Sequence, residues 1–432
     1  MSSVKCGFAQ KVISPLGKGI FMDGYGHRMS PAEGIHDDLY VKTAVFHKSE
    51  RERFAILVMD VCGFNQEIYE LITDYIEEIT GFDKTCIAVC ATHTHAAPAG
   101  GILDDLPISY DFWGYTAEIC GRTVLEALDN MCECTCSAAV MENGIESSFN
   151  RRKRPFIIDR RVKAAVFNGP DGKIRGVISS GCCHPVINTT IEISADYLQV
   201  LTRRSIEEHG VPFLFLQGRG ADINPCTFED MDIEEVMEKV GSELADAVAC
   251  AVRKAGGNQE SIDSVQNIYT PAAIPVKPFE TVEEAEKKLH DKFEAYLDKP
   301  WSLEKHYAFR ELEWHRRMYR KIRRCEKPEV HVPIQLLKIG EHLIFVFLPF
   351  EVLTNTGNKI EEILCHMGYR EEYIFIIGCA NSVNSYLTPL EEIPFGGYEV
   401  TRAAHWYGLP EYGKCTEKNV IDIVEKIAAG LK

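Results

Sequence analysis

FAILVMDVCGFNQEIYELITDYIEEITGFDKTCIAVCATHTH, residues 54–95, is the stretch whose reading decides the fold. It opens on a run of apolar and β-branched residues, 54–60, with the composition of a buried strand. Residues 66–79 then follow a helical period, and a second apolar run, 85–91, ends on Thr92-His93-Thr94-His95. The same alternation recurs in both directions. Further strands are predicted at 40–46, 161–167, 176–182, 212–216, 330–338, 343–348 and 373–378, and helices at 110–131, 196–209, 233–255, 358–367 and 417–429. Such alternation predicts an α/β fold of layered mixed β-sheets flanked by helices. Residues 280–325 are charged, helical in period and nearly free of glycine, which predicts a helical insertion between sheet elements. No internal repeat is visible, so residues 1–432 read as a single catalytic domain carrying that insertion.

Composition narrows the function. The chain has 432 residues, 45% hydrophobic and 26% charged, enough for a sizeable core. With 64 acidic against 47 basic residues the formal charge is -17, which argues against nucleic acid or an anionic membrane as the main partner. The one basic cluster (Arg316, Arg317, Arg320, Lys321, Arg323, Arg324) reads as the solvated face of a helix. The start, MSSVKCGFAQKVISP, lacks the apolar core of a secretory signal, and no run nears the roughly 18 apolar residues of a membrane span. A cytoplasmic protein with mostly reduced thiols is therefore expected, its partner a small-molecule substrate and a homo-oligomer left open. Cys132, Cys134 and Cys136 allow either a metal cluster or a plain strand, and alternation along the segment favours the strand.

Candidate chemistry collects where apolar strands run out. His93 and His95, two apart on an extended segment, would face one side and read either as metal ligands or as two satisfied surface histidines. Cys182-Cys183-His184-Pro185 ends the next such strand, with Asp196 placed like an N-cap beyond it. The Gly-rich turn from Gln217 to Pro225 contains Gly220, Asp222 and Asn224, and lacks the Gly-Lys-Ser/Thr of a phosphate loop. Glu351 closes the most hydrophobic strand of the chain, where a carboxylate must find a cation or solvent. Asn381 to Tyr386 follows one more strand.

Taken in order, these segments resemble the catalytic domain of the neutral/alkaline (non-lysosomal) ceramidase superfamily. The likeness runs from Gly24-Tyr25-Gly26 and Gly34-Ile35-His36-Asp37-Asp38-Leu39-Tyr40 through Thr92-His93-Thr94-His95, Asn150-Arg151 and His184-Pro185. It continues in Asp196-Tyr197-Leu198, Gln217 to Pro225, Pro349-Phe350-Glu351 and Asn381 to Tyr386. The resemblance implies one Zn²⁺ per chain held by His93, His184, Glu351 and Tyr386, with Tyr373 and Tyr398 as neighbouring alternatives to the last. It also implies His95 as the second histidine and Arg151, beside Arg152, as the active-site arginine. A C-terminal β-sandwich common in the family is expected to be missing. So is the ceramidase serine, whose place falls at Gly220 in Arg219-Gly220-Ala221. The expected activity is thus a zinc-dependent hydrolase, metal-activated water attacking an amide C–N bond of a small polar, linear or carbohydrate-like substrate. His95 and Asp222 would move protons, Arg151 would stabilise negative charge, and Gly220, Asn224 and Asn381 would contact substrate. Asp60 is read either as fixing a histidine tautomer or as a turn residue. The alternatives are cleavage of an ester, lactone or sugar-like C–O bond, and a non-catalytic metal-binding protein.

Overall fold

The computed structural model describes residues 3–103, 106–152, 157–257 and 259–431. The stretch quoted above forms the strand Glu52–Met59, the helix Gln66–Thr80 and the parallel strand Ile87–Ala91. Asn65 caps the helix by accepting from the Ile68 N–H at 3.0 Å. Gly81 stops it at φ 69°, a left-handed turn that a Cβ would strain. Antiparallel to Glu52–Met59 lies Tyr40–Ser49, and antiparallel to that Lys5–Val12. The short strand Cys132–Glu133 completes this sheet.

The same arrangement occurs three times. In the second sheet Thr135–Met141, Val162–Asn168 and Ile174–Gly181 run antiparallel in turn, and the helix Leu198–His209 leads to Phe213–Gln217, parallel to the third strand. In the third sheet the strands are Val265–Pro275, Glu329–Ile339, Leu343–Phe347 and, after the helix Thr354–His366, Ile374–Ile377. The chain thus carries a threefold repeat of topology that its sequence does not display.

Packing explains why the strands read as unbroken apolar runs. Each sheet turns one face to a shared central core, where Phe8, Phe46 and Phe54 of the first meet Phe167, Leu214 and Leu216 of the second and Phe345, Phe347 and Phe375 of the third. The other face of each is covered by two helices: Gln66–Thr80 and Tyr110–Asp129, Leu198–His209 and Ile233–Ala255, Thr354–His366 and Thr416–Ala429. Burial on both faces removes the polar alternation of a half-exposed strand. A fully buried Phe contributes about 1.5–3 kcal/mol, so interlocking aromatics bind the three sheets into one core.

The helical insertion is the antiparallel pair Val282–Leu297 and Leu303–Arg323, placed between the first two strands of the third sheet. Thr281 and Glu284 form a capping box at its start. Its basic residues are only partly solvated: Arg316 pairs with Glu313 at 2.6 Å and Lys321 with Glu326 at 2.8 Å. Cys132 and Cys134 lie with their sulfurs 3.8 Å apart at a sheet edge. Asp196 differs from its expected cap role. At φ 58° and fully buried, it accepts from the N–H groups of Ile187, Asn188 and Tyr197 and so ties down the loop after His184. No helix among the described residues is long and apolar enough to cross a membrane.

Candidate metal centre

In each repeat three segments emerge at the same end: the connection between strands one and two, and the ends of strands three and four. The registers show this, with Val12 opposite Tyr40, Val41 opposite Met59 and Met59 opposite Ala91 in the first sheet. His93 follows strand four of the first repeat, His184 strand three of the second, and Glu351 strand three of the third. Arg151 comes from the strand one–two connection of the second repeat. These ends are laced together by main-chain bonds: Arg151 N to Asp222 O at 2.9 Å, Ala221 N to Val352 O at 3.1 Å and His95 N to Pro185 O at 3.2 Å.

His93, His184 and Glu351 are each at most 3% exposed, and their ligand atoms lie within 4.8 Å of one another. Glu351 Oε2 is 3.2 Å from His93 Nε2 and 3.1 Å from His184 Nε2. Two ligands bound at ~2.0 Å to one tetrahedral zinc stand about 3.3 Å apart. Each Nδ1 is occupied by a main-chain carbonyl, Cys62 O at 2.5 Å for His93 and Gly220 O at 2.9 Å for His184. That fixes the Nδ1–H tautomer and turns both Nε2 lone pairs on one point, the usual outer support of a metal-binding histidine. The donor set therefore fits a divalent cation. His93 sits at φ 72°, uncommon for a non-glycine residue. It is held there by this bond and by its N–H to Val61 O at 2.9 Å.

Electrostatics agree. Burial would raise the Glu351 carboxyl, but His93 and His184 hold it well below its usual range. Burial opposes charge on His93, yet Cys379 and Glu351 outweigh it and hold the imidazole well above its ordinary value. His184 is pushed down to about 4 by burial. His95 is lowered too, by burial and by facing the other two imidazoles. A buried carboxylate asks for positive charge nearby, and His93, His184 and Arg151 all act on it.

Around this triad, His95 Nε2 lies 3.4 Å from His93 Nε2, while its Nδ1 is buried without a hydrogen-bond partner among the described residues. The Tyr386 hydroxyl accepts from Arg151 Nη2 at 3.1 Å and stands beside Glu351, with which Tyr386 is paired in register. Of the alternative tyrosines, Tyr398 packs on the Tyr386 ring at 5.7 Å, whereas Tyr373 lies in the central core. Arg151 also donates to Glu399 at 2.9 Å and to Asn224 Oδ1 at 3.2 Å. Arg152 points elsewhere, to Glu392, Glu399 and Gly396 O.

Several expected roles are displaced. Both oxygens of Asp222 are taken, by the Thr354 N–H and hydroxyl at 2.9 and 2.7 Å and by the Asn150 amide at 2.7 Å. It is a buried strut rather than a free base. Asn381 is fully buried, its amide spent on Val89 N at 2.9 Å and Gln335 Oε1 at 2.7 Å, so it joins the first and third sheets instead of facing substrate. Gly220 has no room for any side chain: a Cβ there would come 2.7 Å from the backbone of Cys182 and Cys183. Its contribution is the carbonyl on His184. Asp60 accepts from Tyr40 N at 2.9 Å and faces the Lys42 ammonium, touching no imidazole; Cys62 O fixes the His93 tautomer instead. No motif marked Tyr407, whose hydroxyl donates to Glu351 Oε1.

Residues 7–133 match the family model for the N-terminal part of neutral/alkaline non-lysosomal ceramidases. The fold is similar to that of the neutral ceramidase from Pseudomonas aeruginosa, at 17% identity and a TM-score of 0.78, over 100% of this chain and 75% of that one. It is likewise similar to a ceramidase complexed with C2, at 16% identity and a TM-score of 0.76, with the same coverage. No curated protein matches the chain. The likeness to neutral/alkaline non-lysosomal ceramidases thus lies in sequence over residues 7–133 and in fold over the whole chain.

Proposed function

We propose that the protein is a zinc-dependent hydrolase in which His93, His184, Glu351 and Tyr386 hold one metal ion, and that it cleaves an amide bond of a small polar molecule. The observation that carries this reading is the convergence of two imidazole Nε2 atoms and one carboxylate oxygen at 3.1 and 3.2 Å, with both Nδ1 atoms committed to main-chain carbonyls. Bound there, zinc would supply a Lewis acid and lower the pKa of its water towards neutrality. His95 is the proton carrier, since burial and the two neighbouring imidazoles favour its neutral form and its Nδ1 has no hydrogen-bond partner among the described residues. Arg151, fixed by Glu399, Asn224 and Tyr386, offers a donor to negative charge developing on the substrate oxygen, worth roughly 3–4 kcal/mol in comparable holes. Asp222 acts as a positioning residue for Asn150, next to Arg151.

The substrate side of the proposal rests on Gly220. With main chain at 2.7 Å from a would-be Cβ, no side-chain nucleophile fits at that position, which favours hydrolysis without an acyl-enzyme formed there. The sixteen unpaired cysteines support a reducing compartment. The test is metal analysis of the purified chain and of His93→Ala, together with a panel of chromogenic amides, esters and glycosides with and without chelator. One zinc per wild-type chain, none in the variant, and chelator-sensitive amide cleavage are expected. Full zinc retention by His93→Ala would sink the ligand assignment, and cleavage confined to esters or glycosides would move the bond.

A further inference from the structure

Glu351 gives its two oxygens to different partners. Oε2 faces the imidazoles of His93 and His184, while Oε1 accepts the hydrogen bond of Tyr407. A carboxylate engaged in this way can present the free oxygen in one direction only, which decides whether it binds a metal through one oxygen or two. Tyr407 in turn depends on its neighbours. It follows the short helix Ala403–Trp406, which packs on the second helix of the insertion, Leu303–Arg323. His405 lies stacked on Trp314 at 3.7 Å and is clamped by Glu311 at 3.0 Å and Glu411 at 3.1 Å. Trp406 takes the Arg310 guanidinium on its face at 3.9 Å and the Tyr307 ring edge-on at 5.5 Å. Trp314 Nε1 donates to Leu409 O at 2.7 Å. His405, Trp406 and Leu409, which flank Tyr407, thus each contact the hairpin, while the Tyr407 ring packs beside Tyr386.

We propose that Tyr407 is a positioning residue of the metal centre, and that the helical hairpin 282–323 is the part of the molecule that holds it in place. The hairpin makes the metal carboxylate rigid from outside the centre, through the sequence Trp314, His405, Tyr407 and Glu351. Support of a ligand by an outer partner typically changes metal affinity 10–100-fold. This rests on the metal-binding reading above, and the experiment separates the two.

Zinc affinity is measured by competition with a chromophoric chelator, and the visible spectrum of the cobalt-loaded protein is recorded, for wild type, Tyr407→Phe, Trp314→Ala and the double variant. Glu311→Gln serves as a milder lesion of the same link. Tyr407→Phe should bind zinc 10–100-fold more weakly and alter the cobalt bands, with the melting temperature of the metal-free chain unchanged. A hydroxyl that only stabilised the fold would move the melting temperature and leave the bands alone. Trp314→Ala and Glu311→Gln should weaken zinc in the wild-type background and add nothing to Tyr407→Phe. Unchanged affinity and spectrum in Tyr407→Phe overturns the proposal, and additive losses overturn the hairpin's part in it. A wild-type chain that binds no divalent metal overturns this inference and the hydrolase reading together.

Discussion

Replacing Gly220 by serine restores the residue type that the family resemblance places there, and the structure argues that it will damage the site instead of extending its chemistry. An ideal Cβ at 220 would lie 2.7 Å from the Cys182 carbonyl carbon and the Cys183 nitrogen, and 2.8 Å from the Cys182 Cα. Carbon atoms pack at ~3.5–4 Å, so the two segments must part by nearly 1 Å. All three neighbours are main chain, fixed by Gly218 N to Gly181 O at 3.0 Å on one side and His184 N to Ile223 O at 2.9 Å on the other. Overpacking costs about 1–3 kcal/mol, and a clash with anchored backbone belongs at the upper end. At ~2.1 cal/mol/K per residue, unfolding a chain of this length has an entropy of ~0.9 kcal/mol/K, so ~3 kcal/mol lowers the melting midpoint by ~3 °C. The same shift moves the Gly220 carbonyl away from His184 Nδ1, now at 2.9 Å, and zinc affinity should fall 10–100-fold. Calorimetry and chelator competition on Gly220→Ser measure both. A variant that melts with wild type and binds zinc equally well would refute the packing argument.

Three further outcomes are expected. His95→Ala should keep its zinc but lose about 10²–10⁴ in turnover, as removal of a proton carrier does; loss of metal would make His95 a ligand. Asp222→Asn turns an amide NH₂ towards the Asn150 or Thr354 donors it now accepts, a cost of about 1–3 kcal/mol, and a denaturant midpoint equal to wild type would contradict this. Hydrogen bonds to His405 hold Glu311 and Glu411 down to about 2 each. Because their folded pKa values are depressed below the ordinary ~4.3 of a glutamate, the stability they contribute is present above that value and drains as pH falls towards about 2. Wild type should therefore lose more melting temperature than His405→Ala between pH 5 and 2.5, and parallel curves would exclude the clamp.

The strands buried on both faces were legible because such burial leaves unbroken apolar runs: 343–348 was expected, and Leu343–Phe347 is buried at every position. The first strand of two repeats was not. Lys5–Val12 mixes lysine, glutamine and glycine among its apolar residues, and Val265–Pro275 carries Pro271 and Pro275 with a mostly half-buried pattern. Proline is tolerated there because that strand lies at a sheet edge, a position that sequence does not reveal. Missing those strands hid the threefold topology, since the remaining elements look like an irregular alternation.

At the site, residue type and position at a strand end marked His93, His184 and Glu351 as candidates, the family resemblance grouped them, and the structure brings their side chains within 4.8 Å of one another, but the supporting contacts were not legible. His93 and His95 do meet at 3.4 Å, although not as neighbours on one face of an extended strand: the strand stops at Ala91 and His93 turns at φ 72°. Asp222 and Asn381 were polar residues beside the right loops, and only their partners show that they brace those loops. Tyr407 was invisible because its partner lies 56 residues away and nothing local marks it. The repeat explains why the candidate ligands could be read and their supports could not. Each ligand leaves a strand end that the fold itself delivers to one place, so its position follows from topology. A supporting contact between two such ends depends on how the three repeats face one another, which is a property of the shared core and of no single segment. Sequence motifs therefore mark the candidate side chains, and the packing of Phe46, Phe167 and Phe345 in one shared core sets how the three repeats that carry them face one another.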